Sequence, residues 1–158
     1  MAPPGPWQSV QMKITAELNE IITAARATAM LPEAVGDVTG APGAINAKVH
    51  VDQLPGVSGA VKLAAKAAGA VGVTVTAELS RQMLTLVIAA SARGLNVSEQ
   101  VAPVLRSKLA RLPDGLASVR TADGRTMVDV NLDEVARRYK VRPTSVTLGD
   151  TVEIVGSL

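Results

Sequence analysis

The stretch from Val71 to Leu112 constrains the fold more than any other part of the chain. Val-Gly-Val-Thr-Val-Thr-Ala-Glu-Leu runs outward, the chain turns at Ser80 and Arg81, and Gln-Met-Leu-Thr-Leu-Val-Ile-Ala-Ala-Ser-Ala returns. The outgoing arm alternates, with Val73, Val75, Ala77 and Leu79 on one face and Thr74, Thr76 and Glu78 on the other. That is the period of a half-buried strand. The returning arm places Leu84, Leu86, Ile88 and Ala90 on one face. Its second face, Met83, Thr85, Val87 and Ala89, is nearly as apolar. A strand apolar on both faces is covered on both, or borders a cavity or a partner. Gly94 breaks the run, and Val97, Val101, Val104, Leu105, Leu109 and Leu112 then follow at helical spacing. Asn96 and Glu99 form a candidate capping pair, whereas Pro103 predicts a kink or a later helix start.

The rest of the chain repeats this mixture. Residues 1 to 9, rich in proline and holding Trp7, predict an extended arm before a single domain over 10–158. Val10 to Lys13 suits a short strand. Thr15 is a candidate cap for a helix to about Met30, with Leu18, Ile21, Ile22, Ala25 and Ala29 as its apolar stripe. Gly36 to Ala44 reads as loop, and Ala44 to Asp52 alternates as a strand. Residues 57 to 70 fit either a short helix or a loose crossover. Ala117 to Thr121 and Thr126 to Leu132 flank an Asp123-Gly124 hairpin signal. Asp133 to Tyr139 suits a short helix ended by Pro143, and a final hairpin turns at Gly149-Asp150. Hairpins dominate, so the expected class is α+β. The expected architecture is a curved, mostly antiparallel sheet packed on the Thr15–Met30 and Val97–Leu112 helices.

Composition removes several functions. The 158 residues are 47% hydrophobic and 19% charged, which suits a folded core rather than disorder. A net charge of +2 and an aromatic content of 1% leave neither the field nor the stacking platforms that nucleic-acid binding uses. With no cysteine there is no disulfide, thiolate metal site or cysteine nucleophile. No run is long enough for a transmembrane helix, and the start has no signal-peptide pattern. The chain as written therefore reads as cytoplasmic, or as a soluble part of a longer membrane-associated protein.

No catalytic motif emerges. The lone His50 lies on the polar side of a strand, and one histidine without cysteine is a poor start for a metal site or a triad. Phosphate-binding glycine loops and a nucleophile elbow are absent. Asp129, Asp133 and Glu134 are the nearest carboxylates, and capping with a solvated face explains them more simply than cation binding or an acid–base pair. Arg137, Arg138, Lys140 and Arg142 form the densest basic run. They suit a helix end or, functionally, an anionic head group or membrane surface. The aliphatic interior can be a tight core or a slot for an acyl chain.

The order of elements resembles that of the bacterial LmeA-like phospholipid-binding family, which is related to the tubular lipid-binding (TULIP) domains. The features carrying the resemblance are Val-Gln-Met-Lys-Ile-Thr-Ala-Glu-Leu-Asn-Glu-Ile-Ile near the start and the doubly apolar Met-Leu-Thr-Leu-Val-Ile strand. To these are added the Arg-Gly-Leu-Asn-Val break, the Val-Leu-Arg-Ser-Lys-Leu-Ala-Arg-Leu-Pro helix, the Asp-Gly-Arg-Thr-Met-Val-Asp-Val-Asn-Leu strand and the closing hairpin. The pattern spans roughly Val10 to Val155 and contains no family-specific motif. The resemblance implies lipid chains held between sheet and helices, with no catalytic residue and no cofactor. Family members are often anchored or exported, and longer than this chain.

The expectation is therefore a non-enzymatic domain binding a lipid or other amphipathic molecule. Leu84, Leu86, Ile88, Val101, Leu105 and Leu109 would line the site, and Arg137 and Arg138 would meet a head group. The alternative is a dry structural or interaction domain that pairs with a second copy through its exposed strand face. Peripheral membrane contact is compatible with either.

Overall fold

A computed structural model describes residues 11–28, 31, 33–50, 70–92 and 94–158. Along these residues run β1 (Gln11–Glu17), α1 (Leu18–Ala27), β2 (Val35–Ala41), β3 (Ala44–Val49), β4 (Val71–Leu79), β5 (Met83–Ala92) and β6 (Leu95–Asn96). A 3-10 turn (Ser98–Val101) leads into α2 (Ala102–Leu109), then β7 (Ala117–Ala122), β8 (Arg125–Asn131), α3 (Leu132–Tyr139), β9 (Arg142–Thr147) and β10 (Thr151–Ser157). Every strand pairing is antiparallel. The class is α+β, as the run of hairpins implies.

The strands divide between two sheets. The larger is ordered β2-β3-β4-β5-β8-β7 with β6 added to β5, and the smaller is β1-β10-β9. Register fixes which side chains share a face, because directly opposed residues in an antiparallel pair point the same way. Leu84, Leu86, Ile88 and Ala90 oppose Leu79, Ala77, Val75 and Val73 of β4. Leu84 and Leu86 also oppose Val130 and Val128 of β8, and Ile45 and Ala47 of β3 continue the row beyond β4. This apolar set is the inner face. The other face carries Glu78, Thr76 and Thr74 on β4, Asp129 on β8 and Asn46 and Lys48 on β3.

Different elements cover the two ends of the inner face. Val97 and Val101, entering α2, pack with Val73 on the buried cluster of Val71, Ala90 and Ala92, while α2 continues along β7. Toward β2 the smaller sheet closes in, with β9 against β4 and the β9–β10 turn on β2. That turn meets Gly40, whose side the register places on the inner face opposite Ile45. A Cβ on Gly40 would collide with the backbone of Gly149 and Asp150, so only glycine permits this approach.

Several local expectations change. Thr15 lies inside β1, and α1 starts at Leu18 after Glu17, which makes no side-chain cap. The strand continues because Gln11 to Glu17 pair without interruption with Ser157 to Thr151. Residues 36 to 44, expected as loop, are mostly strand: β2 runs to Ala41, and Pro42 and Gly43 make a hairpin turn that returns the chain into β3. The second helix is shorter than Val97 to Leu112. Pro103 sits in its first turn, where a missing N–H costs nothing, and the residues before it wind as 3-10. Pro143 lies in β9, an edge strand that does not need its N–H. The Trp7 arm and nearly all of residues 57 to 70 lie outside the described residues.

Candidate functional site

Ser98 fixes where α2 leaves the large sheet. It is 2% exposed and fills the gap left where β8 stops pairing with β5 beyond Ile88. Its hydroxyl accepts from the Ala90 amide at 2.8 Å and reaches Asn96 Oδ1 at 2.6 Å. Its carbonyl accepts from the hydroxyl of the fully buried Thr126 at 2.7 Å. The expected Asn96–Glu99 capping pair does not form: Val97 stands at the start of the 3-10 turn without a side-chain cap, and Asn96 Oδ1 instead accepts from the Ser98 amide two residues on. With this turn clamped, Val101 enters the core beside Ala90, and α2 follows along β7 with Leu109 near Val119.

The expected lining residues fall into three groups. Leu84, Leu86 and Ile88 share the inner face, where Ile88 is 7% exposed and the two leucines are half-buried. Val101, Leu105 and Leu109 are half-buried along the 3-10 turn and α2. Leu109 also lines a small pocket of about 220 Å³ between α2 and β7, together with Arg106, Leu112 and Val119. Arg137 and Arg138 stand apart on α3, and both are engaged by the Glu134 carboxylate, at 2.7 and 3.2 Å.

A larger concavity of about 1040 Å³ opens on the outer face. Asp37, Asn46, Lys48, Thr74, Asn96 and Arg125 are among its lining residues, and the Thr74 hydroxyl donates to Asn46 Oδ1 at 2.8 Å. The alternation of Asn46, Lys48 and His50 marks these side chains as outward in sequence. Their assembly into a trough depends on β2, which glycine content concealed. The lining mixes charges of both signs with apolar side chains such as Val38, Ala47, Val73 and Ala89.

The three carboxylates grouped by sequence separate in space. Asp129, 9% exposed on the outer face, accepts from Arg120 Nε at 2.6 Å and from the Thr85 hydroxyl at 2.8 Å. Burial pushes its pKa up, but the Arg120 and Thr85 hydrogen bonds and the Arg120 charge together hold it below the usual value. Asp133 pairs with Arg142. Glu134 is held low by the Arg137 hydrogen bond, against its own desolvation and with Arg138 assisting. Each acid thus meets a different cation, and among the described residues no three His, Cys, Asp or Glu side chains gather as metal ligands. His50 is exposed, and its backbone amide donates to Ala34 O at 2.8 Å.

Comparison with family models, curated proteins and solved structures finds no match. Among the described residues no helix is long and apolar enough to cross a membrane.

Proposed function

We propose that this protein is a non-enzymatic binding domain for a lipid or another amphipathic molecule, whose apolar part lies against the inner face of the large sheet. The supporting observation is the incomplete burial of that face. Leu84 and Leu86 on β5, Val75 and Leu79 on β4, and Leu105 and Leu109 on α2 are all only half-buried. Each methylene of a ligand transferred from water onto such surface would contribute about 0.8 kcal/mol. The resemblance to the LmeA-like family points the same way.

The test is native mass spectrometry of the purified protein, followed by solvent extraction and lipid analysis. The expected result is a lipid-sized adduct on the monomer that Leu86→Trp greatly reduces while the variant still folds. A ligand-free spectrum, whether of monomer or of dimer, would overturn the reading.

A ligand-free dimer would instead support self-association. Ile14 favours that second reading, because it is 49% exposed on β1, an edge strand of the smaller sheet. Exposed apolar edges are prone to pairing with another chain. The Met83–Ala89 face is a weaker candidate interface, since Val87 at its centre is 8% exposed and Thr85 is occupied by Asp129.

A further inference from the structure

We infer that the pole of the molecule formed by the β4–β5 turn and α3 is a docking surface for an anionic lipid bilayer. The fold brings its parts together from distant stretches of sequence. The Leu132 amide donates to Gln82 O at 2.9 Å, which seats the start of α3 on the β4–β5 turn. Arg142 donates to Arg81 O at 3.1 Å and pairs with Asp133, which brings the start of β9 to the same place. Arg81, Arg137, Arg138, Lys140 and Arg142 thus share one end of the protein.

Among the described residues the acidic groups there are Asp133 and Glu134, exposed Glu78 opposite Thr85 on the Met83 side of the sheet, and Asp114 on the turn whose Gly115 faces Glu134. Cations outnumber carboxylates, and among the described residues neither Arg81 nor Lys140 belongs to an ion pair. Two exposed side chains add apolar surface: Tyr139, 59% exposed at the end of α3, and Met83, 37% exposed just after the turn. Cations favour anionic head groups, while a tyrosine ring settles at head-group depth with its hydroxyl in water. A single-stranded nucleic acid would need more aromatic platforms than this single ring. The inference holds whether or not the inner face takes a ligand, because it rests on this surface alone.

Vesicle co-sedimentation tests it, using phosphatidylcholine vesicles with and without phosphatidylglycerol. The protein should pellet with the anionic vesicles, stay in solution with the neutral ones, and be released as salt rises from about 0.05 to 0.5 M. Arg81→Gln and Tyr139→Ser should each weaken binding, the arginine change by about fivefold. Arg125→Gln, a loss of equal charge at the other end of β8, should leave it unchanged. Circular dichroism and thermal melts would verify that each variant folds. Equal binding to neutral vesicles, no binding to either kind, or equal weakening by Arg125→Gln would overturn the inference. So would retention on heparin without vesicle binding, which would assign the patch to a soluble polyanion. Extraction of bound lipid is a separate readout, so failure here leaves the inner-face proposal standing, and the converse holds.

Discussion

The Gly40 amide donates to the Asp150 carboxylate at 3.2 Å, across 110 residues of sequence. Two more bonds reinforce this junction: Gly43 N to Leu148 O at 3.0 Å and Leu18 N to Asp150 O at 2.8 Å. The β9–β10 turn thereby ties the smaller sheet to β2 and to the start of α1. Gly40→Ala should destabilise the protein by about 1–3 kcal/mol, because the added methyl meets backbone that cannot rotate away. Asp150→Ala removes one exposed hydrogen bond and should cost only about 1 kcal/mol. Denaturant unfolding of the two variants would check this order, and equal losses would show that steric approach is not the dominant constraint.

Ser98 and Thr126 make the second structural prediction. Ser98→Ala would leave the Ala90 amide without its partner in a buried place, at a cost of about 1–3 kcal/mol. Thr126→Val keeps the shape but removes the donor to Ser98 O, and should cost about 1 kcal/mol. The residues share one network, so the double variant should lose less than the sum of the singles. Equilibrium unfolding of all three proteins measures that coupling, and strict additivity would contradict it.

Acid should weaken the fold through Asp129 and Glu134. Both carboxyls titrate lower when folded than when unfolded, held there chiefly by Arg120 and Thr85 in one case and by Arg137 in the other. A depressed folded value means the unfolded chain binds protons first as pH falls. The stabilisation is therefore complete above the ordinary carboxylate range near pH 4, and disappears as pH drops through the lower folded values. Arg120 is half-exposed, so solvent screening keeps the pair's contribution modest. Thermal melts from pH 7 to pH 2 should show a shallower acid decline for Arg120→Gln than for the parent protein. An identical decline would remove Asp129 from the account.

Much of this fold is legible in the sequence because alternation reports burial directly. The Val71–Leu79 and Met83–Ala92 arms pair with the faces their pattern implies. Asp123 and Gly124 take the left-handed angles, φ 53° and 71°, that an Asp-Gly hairpin turn demands. What sequence concealed depends on tertiary approach. Gly36 and Gly40 look like loop residues, yet Gly40 sits in β2 because another hairpin's backbone lies against it. Thr15 looks like a cap, yet β10 continues the ladder through Glu17. Asn131 caps α3 by accepting from the amides of Asp133 and Glu134. For the candidate site, the sequence placed Leu84, Leu86 and Ile88 on one face. It could not show that Arg137 and Arg138 would share Glu134 on a separate element.

Lys140 separates stability from charge at the basic pole. It ends α3 in the left-handed region at φ 61°, where a side chain is strained and glycine is not. Lys140→Gly should therefore gain up to about 1 kcal/mol from relieved backbone strain. Part of that is offset by losing the Nζ bond to Arg137 O at 3.0 Å, which is exposed and weak. The same change removes a cation from the proposed docking surface, so vesicle binding should fall by about fivefold while the melting temperature rises. Unfolding and vesicle assays on one preparation measure both effects. A variant that is more stable and binds vesicles as before would separate Lys140 from the membrane-facing surface, leaving its left-handed cap as its whole contribution.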